Sequence, residues 1–294
     1  GVAFYPSQIR PPPPALPPRG DQIAGGLAAC KKHAVQLHVW KVNWNTGRHA
    51  PKDFLSRMRA ESRLQADASG KSEPWLCPSH PANQQLEIDS MLEIAKNYDV
   101  DGLHFDYIRY PGGNHCFCDG CRERFTKRIA APIAKWPADV LASGPHRQAW
   151  LDWRRSHITA VVKAVSQGAR AIRPGIQISA AVFRNWPTDR DSVGQDWKLW
   201  CDLGYLDFVC PMDYTPSTAA FAAMVQRQIG WSGKVPCYPG IGVSTWASPD
   251  PVRTIAQIEA ARRLGCRGFT IFEYGAAEAD DLLPLLGLGI TRKP

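Results

Sequence analysis

The chain of 294 residues is 44% apolar and 21% charged, a composition that excludes collagen-like, low-complexity and disordered classes. No stretch reaches the roughly 18 apolar residues of a membrane helix, which excludes a membrane span as the expectation. Lys and Arg number 35 against 27 Asp and Glu, a net charge of +8. The basic residues are scattered, with no basic run and no nucleic-acid motif, so nucleic acid is not an expected partner.

Seven of the first twenty residues are proline, including Pro11 to Pro14, and this stretch reads as irregular loop. After it, apolar runs alternate with helix-periodic ones, the βαβα pattern of a parallel sheet. Strands buried on both faces read as continuous apolar runs. They lie at 35–43, 75–78 (the shortest), 102–110, 177–183, 208–213, 235–241 and 268–274. Between them, Ile88, Met91, Leu92 and Ala95 repeat at helical spacing. Ile158, Val161, Val162, Val165, Ala169 and Ile172 form a longer stripe, stopped by Pro174 and Gly175. Trp197, Trp200 and Cys201 repeat the spacing before Gly204, and a helix at 250–264 ends at Gly265. No linker divides the chain, so one domain over 1–294 is expected. Its length suits an α/β fold of the (β/α)8 or TIM-barrel type, which takes about 250 residues. Seven strands are one short of closure, and residues 1–5 are too few and too near Pro6 to form the eighth. The expected fold is therefore a TIM barrel that lacks its first strand in this chain.

Barrels of this type hold their reacting groups at the carboxyl ends of the strands. Three strand ends carry a carboxylate beside a tyrosine: Asp106-Tyr107, Asp213-Tyr214 and Glu273-Tyr274. A carboxylate inside an apolar strand is costly unless it is paired or shifted in pKa. Strand alternation puts His104 on the face of Asp106, and Arg109 follows in the loop; a structural pair with either is the competing role for Asp106. Asp101, at the start of the same run, reads as a structural turn residue. Glycoside hydrolysis needs two carboxyl groups astride the scissile bond. Asp106 and Asp213, from different strand ends, suit that task, with Glu273 as a third candidate. Trp40, Trp44, Trp186, Tyr107, Tyr214 and Tyr274 offer flat apolar faces beside polar groups, as sugar rings require. Core packing is the alternative for each.

The run Val100-Asp101-Gly102-Leu103-His104-Phe105-Asp106-Tyr107-Ile108-Arg109-Tyr110-Pro111 resembles the signature of the glycosyl-hydrolase-like 10 domain family. Asp196-Trp197 through Trp200, followed by Leu206-Asp207-Phe208-Val209-Cys210-Pro211-Met212-Asp213-Tyr214, resembles a later segment of the same family. Gln36-Leu37-His38-Val39-Trp40 with Asn43 is similar to its second strand. The resemblance implies a TIM barrel whose strands here are numbers two to eight, with Asp106 ending the fourth and Asp213 the sixth. It also implies carbohydrate hydrolysis and export from a bacterial cell, to an extracellular or periplasmic location. The expected protein is a retaining-type glycosidase that cleaves O-glycosidic bonds in a poly- or oligosaccharide. Asp106 is its expected nucleophile and Asp213 its general acid/base. His38, Trp40, Asn43, His104, Tyr107, Arg109, Trp186, Tyr214 and Tyr274 are the expected substrate contacts. A non-catalytic carbohydrate-binding barrel is the alternative.

The nine cysteines are too few for a disulfide scaffold at this length, and their odd number leaves at least one thiol unpaired within the chain. Cys30, Cys201, Cys210 and Cys266 fall in apolar segments and read as small core residues. Cys116, Cys118 and Cys121, beside His115, have spacing compatible with a structural zinc site, with a disulfide or free thiols as alternatives. Such an ion holds a loop; the hydrolysis expected here requires no cofactor. Phosphate-loop, dinucleotide and nucleophile-elbow motifs are absent.

Overall fold

The computed structural model describes residues 2–13, 20–243 and 250–291, so Pro14, Pro17 and Pro18 of the proline-rich stretch lie outside the described residues. The chain divides into two compact units. One comprises residues 1–178 and 188–196, the other 179–187 and 197–294. Both are α/β with parallel strand pairs.

In the first unit the order is α1 (Gln22–Lys32), β1 (His38–Val42), α2 (Lys52–Ala60), β2 (Leu64–Ala66), β3 (Ser72–Leu76), α3 (Pro81–Asn97), β4 (Gly102–Asp106), α4 (Asp119–Ile129) and α5 (Arg147–Ile172). β1 and β4 are parallel neighbours, in register from His38 opposite Gly102 to Val42 opposite Asp106. A Cβ at position 102 would stand 2.2 Å from His38 Nδ1, so any residue but glycine would force the His38 ring to shift. The Asp101 carboxylate accepts the Leu37 amide at 2.8 Å, the structural role read for it.

The run at 75–78 is not a member of the parallel series. β2 and β3 form an antiparallel pair, and the Asp67 carboxylate turns the chain between them by accepting the amides of Ser69 and Lys71. A tight turn joins antiparallel strands, whereas a parallel pair needs a crossover. Only residues 67–71 separate β2 from β3, too few for a crossover, so the 75–78 run pairs back on β2.

α3 departs from its apolar reading. Met91 and Ala95 are buried, but Ile88 and Leu92 are half-buried, and Asn83, Glu87 and Ser90 share the buried set. Glu87 accepts from Arg10 at 2.6 Å, from Asn43 Nδ2 at 2.8 Å and from Lys41. With two cations against it, Glu87 is held well below the carboxylate range despite its burial. Burial pulls Lys41 down to about 8, since it also faces Arg10. Glu87→Gln leaves both cations without a counter-charge, and is expected to cost about 3–5 kcal/mol in urea unfolding. Adding Lys41→Met should recover part of that loss; a single variant as stable as the parent would contradict the ion-pair account.

α5 buries Ile158, Val161, Val162, Val165 and Ala169 as its stripe indicates, while Ile172 at its end is exposed. Trp150 of α5 stacks on Phe117 and Trp153 and meets Phe125 and Trp136 edge-on, a core for the segment that follows β4.

The second unit takes up the chain within β5 (Gln177–Val182) and at the start of α6 (Trp186–Ser192). It continues through α7 (Trp197–Asp202), β6 (Phe208–Pro211), α8 (Thr218–Ser232), β7 (Gly240–Gly242), α9 (Pro251–Arg263), β8 (Thr270–Phe272) and α10 (Leu283–Leu288). β5 and β6 are parallel from Ser179–Phe208 to Val182–Pro211. Parallel bridges follow from Val209 to Cys237 and from Met212 to Gly240, and β7 runs parallel to β8. The expected helix ends are present: Gly204 after α7 and Gly265 after α9 adopt left-handed backbone, at φ +68 and +85. Phe221 and Val225 of α8 pack with Ile241, Val243, Ile258 and Leu282 in one core. Among the described residues, six parallel strands thus stand where seven were expected, the difference being the hairpin at 75–78. Cys201 and Cys210 are core residues as read, Cys30 and Cys266 are only half-buried, and none of the nine cysteines forms a disulfide.

Candidate active site

In the first unit the site is built at the end of β4. Asp106, its last residue, is 7% exposed. Oδ2 accepts the Trp40 indole N–H at 3.0 Å, and Oδ1 accepts the Tyr107 amide at 2.7 Å. The second bond is made as Tyr107 turns into left-handed backbone at φ 54. The β1–β4 register explains the first: Trp40 lies opposite His104, one step along the same face from Asp106. Burial pushes the Asp106 carboxyl up, opposed by the Tyr107 amide, the Trp40 indole and the charge of Arg109. Trp40 is 56% exposed, so a bare aromatic surface adjoins the carboxylate. His104 is brought onto this face as alternation requires. Burial, and then the charge of His38, lower its imidazole to about 4, so it is neutral at neutral pH. The Arg109 guanidinium lies over the rings of Tyr107 at 4.9 Å and Trp75 at 5.7 Å, and donates to the Tyr110 carbonyl at 3.0 Å.

Two residues expected at this strand end are fully buried. Asn43 is fully buried and gives its amide to Glu87, which ties the end of β1 to α3. Trp44 is fully buried as well and is a core residue. The walls of a cavity of about 730 Å³ against β1 include Tyr5, Arg10, Val39 and Lys41. Asp106 is not among them, but Trp40, whose indole donates to Asp106, is.

In the second unit the site is built around Asp213, two residues beyond β6. Its amide donates to the Gly240 carbonyl at 3.0 Å, and its side chain is fully buried. Oδ1 accepts Gln228 Nε2 at 2.6 Å. Oδ2 has no hydrogen-bond partner among the described residues. Burial pushes the carboxyl up to about 7, opposed by the Gln228 amide and the charge of Arg184. A carboxyl in that range is partly protonated at neutral pH, as a general acid must be. Gln228 also donates to the Arg184 carbonyl at 3.1 Å, and Arg184 Nη1 to the Tyr214 carbonyl at 3.4 Å. The ends of β5 and β6 are thereby tied to α8 around the carboxyl. Tyr214 packs on Phe272 at 5.6 Å, and Trp186 on Trp231 at 6.0 Å with Lys198 Nζ 5.9 Å from its ring centre. Glu273 and Tyr274 are exposed after β8, Tyr274 by 73%.

Gln228 and Glu87 were not among the residues singled out from sequence. Each left one signal, a polar side chain at helical spacing with buried residues: Phe221, Val225, Gln228 and Ser232 on α8, and Asn83, Glu87, Met91 and Ile94 on α3.

Glycoside hydrolases are among the solved structures that share this fold. The glycoside hydrolase domain of PgaB (BpsB) from Bordetella bronchiseptica superposes with a TM-score of 0.70 at 14% identity, covering 88% of this chain and 76% of that one. Alpha-L-fucosidase isoenzyme 2 from Paenibacillus thiaminolyticus gives 0.65 at 14% identity, over 94% of this chain and 39% of that one. A beta-galactosidase from Bacillus circulans sp. alkalophilus gives 0.61 at 15% identity, over 87% and 44%. At these identities the likeness is one of fold, and the class it defines is an α/β fold with parallel strands. The chain belongs to the glycosyl hydrolase-like 10 family, whose model matches residues 20–243. It is 24% identical over 258 residues to glycosyl hydrolase DigH of Escherichia coli, covering 76% of this chain and 54% of that protein. It is 23% identical over 300 residues to glycosyl hydrolase YngK of Bacillus subtilis, covering 89% and 55%. The chain therefore spans about half the length of these curated relatives.

Proposed function

We propose that the protein is a retaining glycoside hydrolase acting on a poly- or oligosaccharide, with Asp106 as nucleophile and Asp213 as general acid/base. The observation that carries this reading is Asp213: a buried carboxyl with one oxygen lacking a hydrogen-bond partner among the described residues, titrating at about 7. A carboxylic acid held protonated near neutral pH is suited to protonate a leaving glycosidic oxygen. Asp106 is suited to the other role by its place: burial raises its carboxyl, but the Tyr107 amide, the Trp40 indole and the charge of Arg109 oppose that rise, and the exposed Trp40 ring adjoins it. In the first step an Asp106 oxygen bonds to the anomeric carbon as the glycosidic C–O bond breaks, and the Asp213 proton passes to the departing oxygen. In the second, the Asp213 carboxylate takes a proton from water, whose oxygen displaces Asp106 from the same carbon.

The fold proposed around this chemistry is a TIM barrel, to which this chain supplies six parallel strands. Both carboxyl groups stand at or just beyond the carboxyl ends of theirs, where such barrels hold reacting groups. Trp40 and Tyr274 offer exposed rings against which sugar faces pack, and Glu273 is the alternative carboxylate in the second unit. An extracellular or periplasmic site of action accompanies a polymeric substrate, which does not cross a cell membrane. Incubation with a panel of bacterial and plant polysaccharides should release new reducing ends from at least one of them, with the anomeric configuration of the first product retained by NMR. Saturable glycan binding without any cleavage would instead identify a carbohydrate-binding barrel.

A further inference from the structure

We propose that Cys77, Cys116, Cys118 and Cys121 together bind one zinc ion, which pins the loop following β4 to the β2–β3 hairpin. Spacing along the chain brings forward only the last three. The fold adds Cys77, which follows β3 directly and lies 39 positions before Cys116 in the sequence. The four Sγ atoms all lie within 4.8 Å of one another, with Cys77 3.4 Å from Cys121 and 3.8 Å from Cys118. A tetrahedral ion with Zn–S bonds of about 2.3 Å sets its sulfurs about 3.8 Å apart. A disulfide needs about 2.05 Å, and none of the four cysteines forms one. Thiolates around a multi-iron cluster bind different metal atoms and need a wider cage, so the close grouping of the four sulfurs selects a single ion. Four soft thiolates in tetrahedral array favour zinc among abundant divalent metals.

The surroundings are built for the excess negative charge of such a centre. Cys77, Cys116 and Cys121 are at most 1% exposed. The Ser79 hydroxyl lies 3.2 Å from both Cys77 Sγ and Cys121 Sγ. Arg124 donates to Ser79 from Nε at 3.1 Å and from Nη2 at 2.9 Å, and its Nη2 stands 3.7 Å from Cys77 Sγ. This places a guanidinium and a hydroxyl against the sulfurs, as second-layer groups do around metal-bound thiolates. Cys118 caps α4 and Cys121 lies in its first turn, where the positive end of the helix also favours thiolate. With four protein ligands the coordination is closed, so the role is structural. The Phe117 amide already joins the Ala66 carbonyl at 2.7 Å, and Asp67 bridges His115. The ion would complete that seam and brace the segment that leads away from Asp106.

The test uses the whole chain, purified without chelator under reducing conditions. Elemental analysis should give about one zinc per chain and no stoichiometric iron. Exchange into cobalt(II) should give the thiolate-to-metal charge-transfer band and the strong visible bands of a tetrahedral four-thiolate site. Cys77→Ser and Cys118→Ser should each reduce bound zinc to a small fraction of the parent's, while Cys210→Ser retains it. If Cys77→Ser does not fold, the parent's cobalt spectrum still reports how many thiolates bind. A folded parent without metal, an iron-filled site, a disulfide mapped among the four, a cobalt spectrum of fewer than four thiolates, or full zinc retention by Cys77→Ser would each overturn the proposal. None of these readouts depends on glycosidase activity.

Discussion

Asp106→Asn is expected to lower turnover on a cleavable polysaccharide by roughly four orders of magnitude or more, with the chain still folded. An amide cannot form the glycosyl ester, and covalent catalysis has no detour around a missing nucleophile. The fold should tolerate the change. Asparagine keeps the shape, and removing a carboxylate whose charge burial disfavours offsets the loss of one of the two donor contacts from Trp40 and Tyr107. Melting temperature and turnover must therefore be read on the same preparation. A variant that loses activity only in proportion to its unfolded fraction would assign Asp106 a structural role. One that stays folded and retains substantial activity would make Glu273 the next nucleophile to test.

The second large effect is the pH dependence carried by Asp213. Its folded-state pKa of about 7 lies above the ordinary value of 3.8. Between those limits the folded chain keeps a proton that the unfolded chain has released. Stability therefore falls as pH rises through this window, and the full cost is present above about pH 7. The shift corresponds to on the order of 4 kcal/mol. Asp213→Asn removes the cost, so the variant should melt above the parent at pH 8, with the gap closing toward pH 4. Its activity should move the other way. Turnover of substrates with poor leaving groups should fall about 10²–10⁴-fold, and activated aryl glycosides should be affected far less. In the parent, kcat/KM should decline on the alkaline side with a midpoint near pH 7, and that limb should be absent from the variant. A gap in melting temperature that stays constant from pH 4 to pH 8 would show that Asp213 does not titrate in this range.

The network at Glu87 and the cysteine cluster show why part of the molecule could not be read in advance. The apolar positions of α3 suggested a hydrophobic face, yet Glu87 is buried because Arg10 and Lys41, far away in the sequence, neutralise it. Asn43 looked like a substrate contact by its place at a strand end, and is taken up by the same carboxylate. Cys77 carries no local signal of its own. It becomes a candidate ligand only because the β2–β3 hairpin returns it to the loop after β4.

By itself the sequence determined the α/β alternation, the family, the positions of α3, α5, α7 and α9, and the carboxylates at the ends of β4 and beyond β6. The alternation and the helices follow from periodicity and local capping, which depend on neighbours a few residues away, and the family follows from the resemblance of the runs at 100–111 and 206–214. Only the tertiary structure decided that the run at 75–78 belongs to an antiparallel hairpin, that Asp106 is met by Trp40 and the Tyr107 amide, and that Asp213 is buried against Gln228 with a pKa near 7. Those properties depend on burial and on partners distant in the chain. The free energy of a charged group is set by what surrounds it in space, which local pattern does not specify.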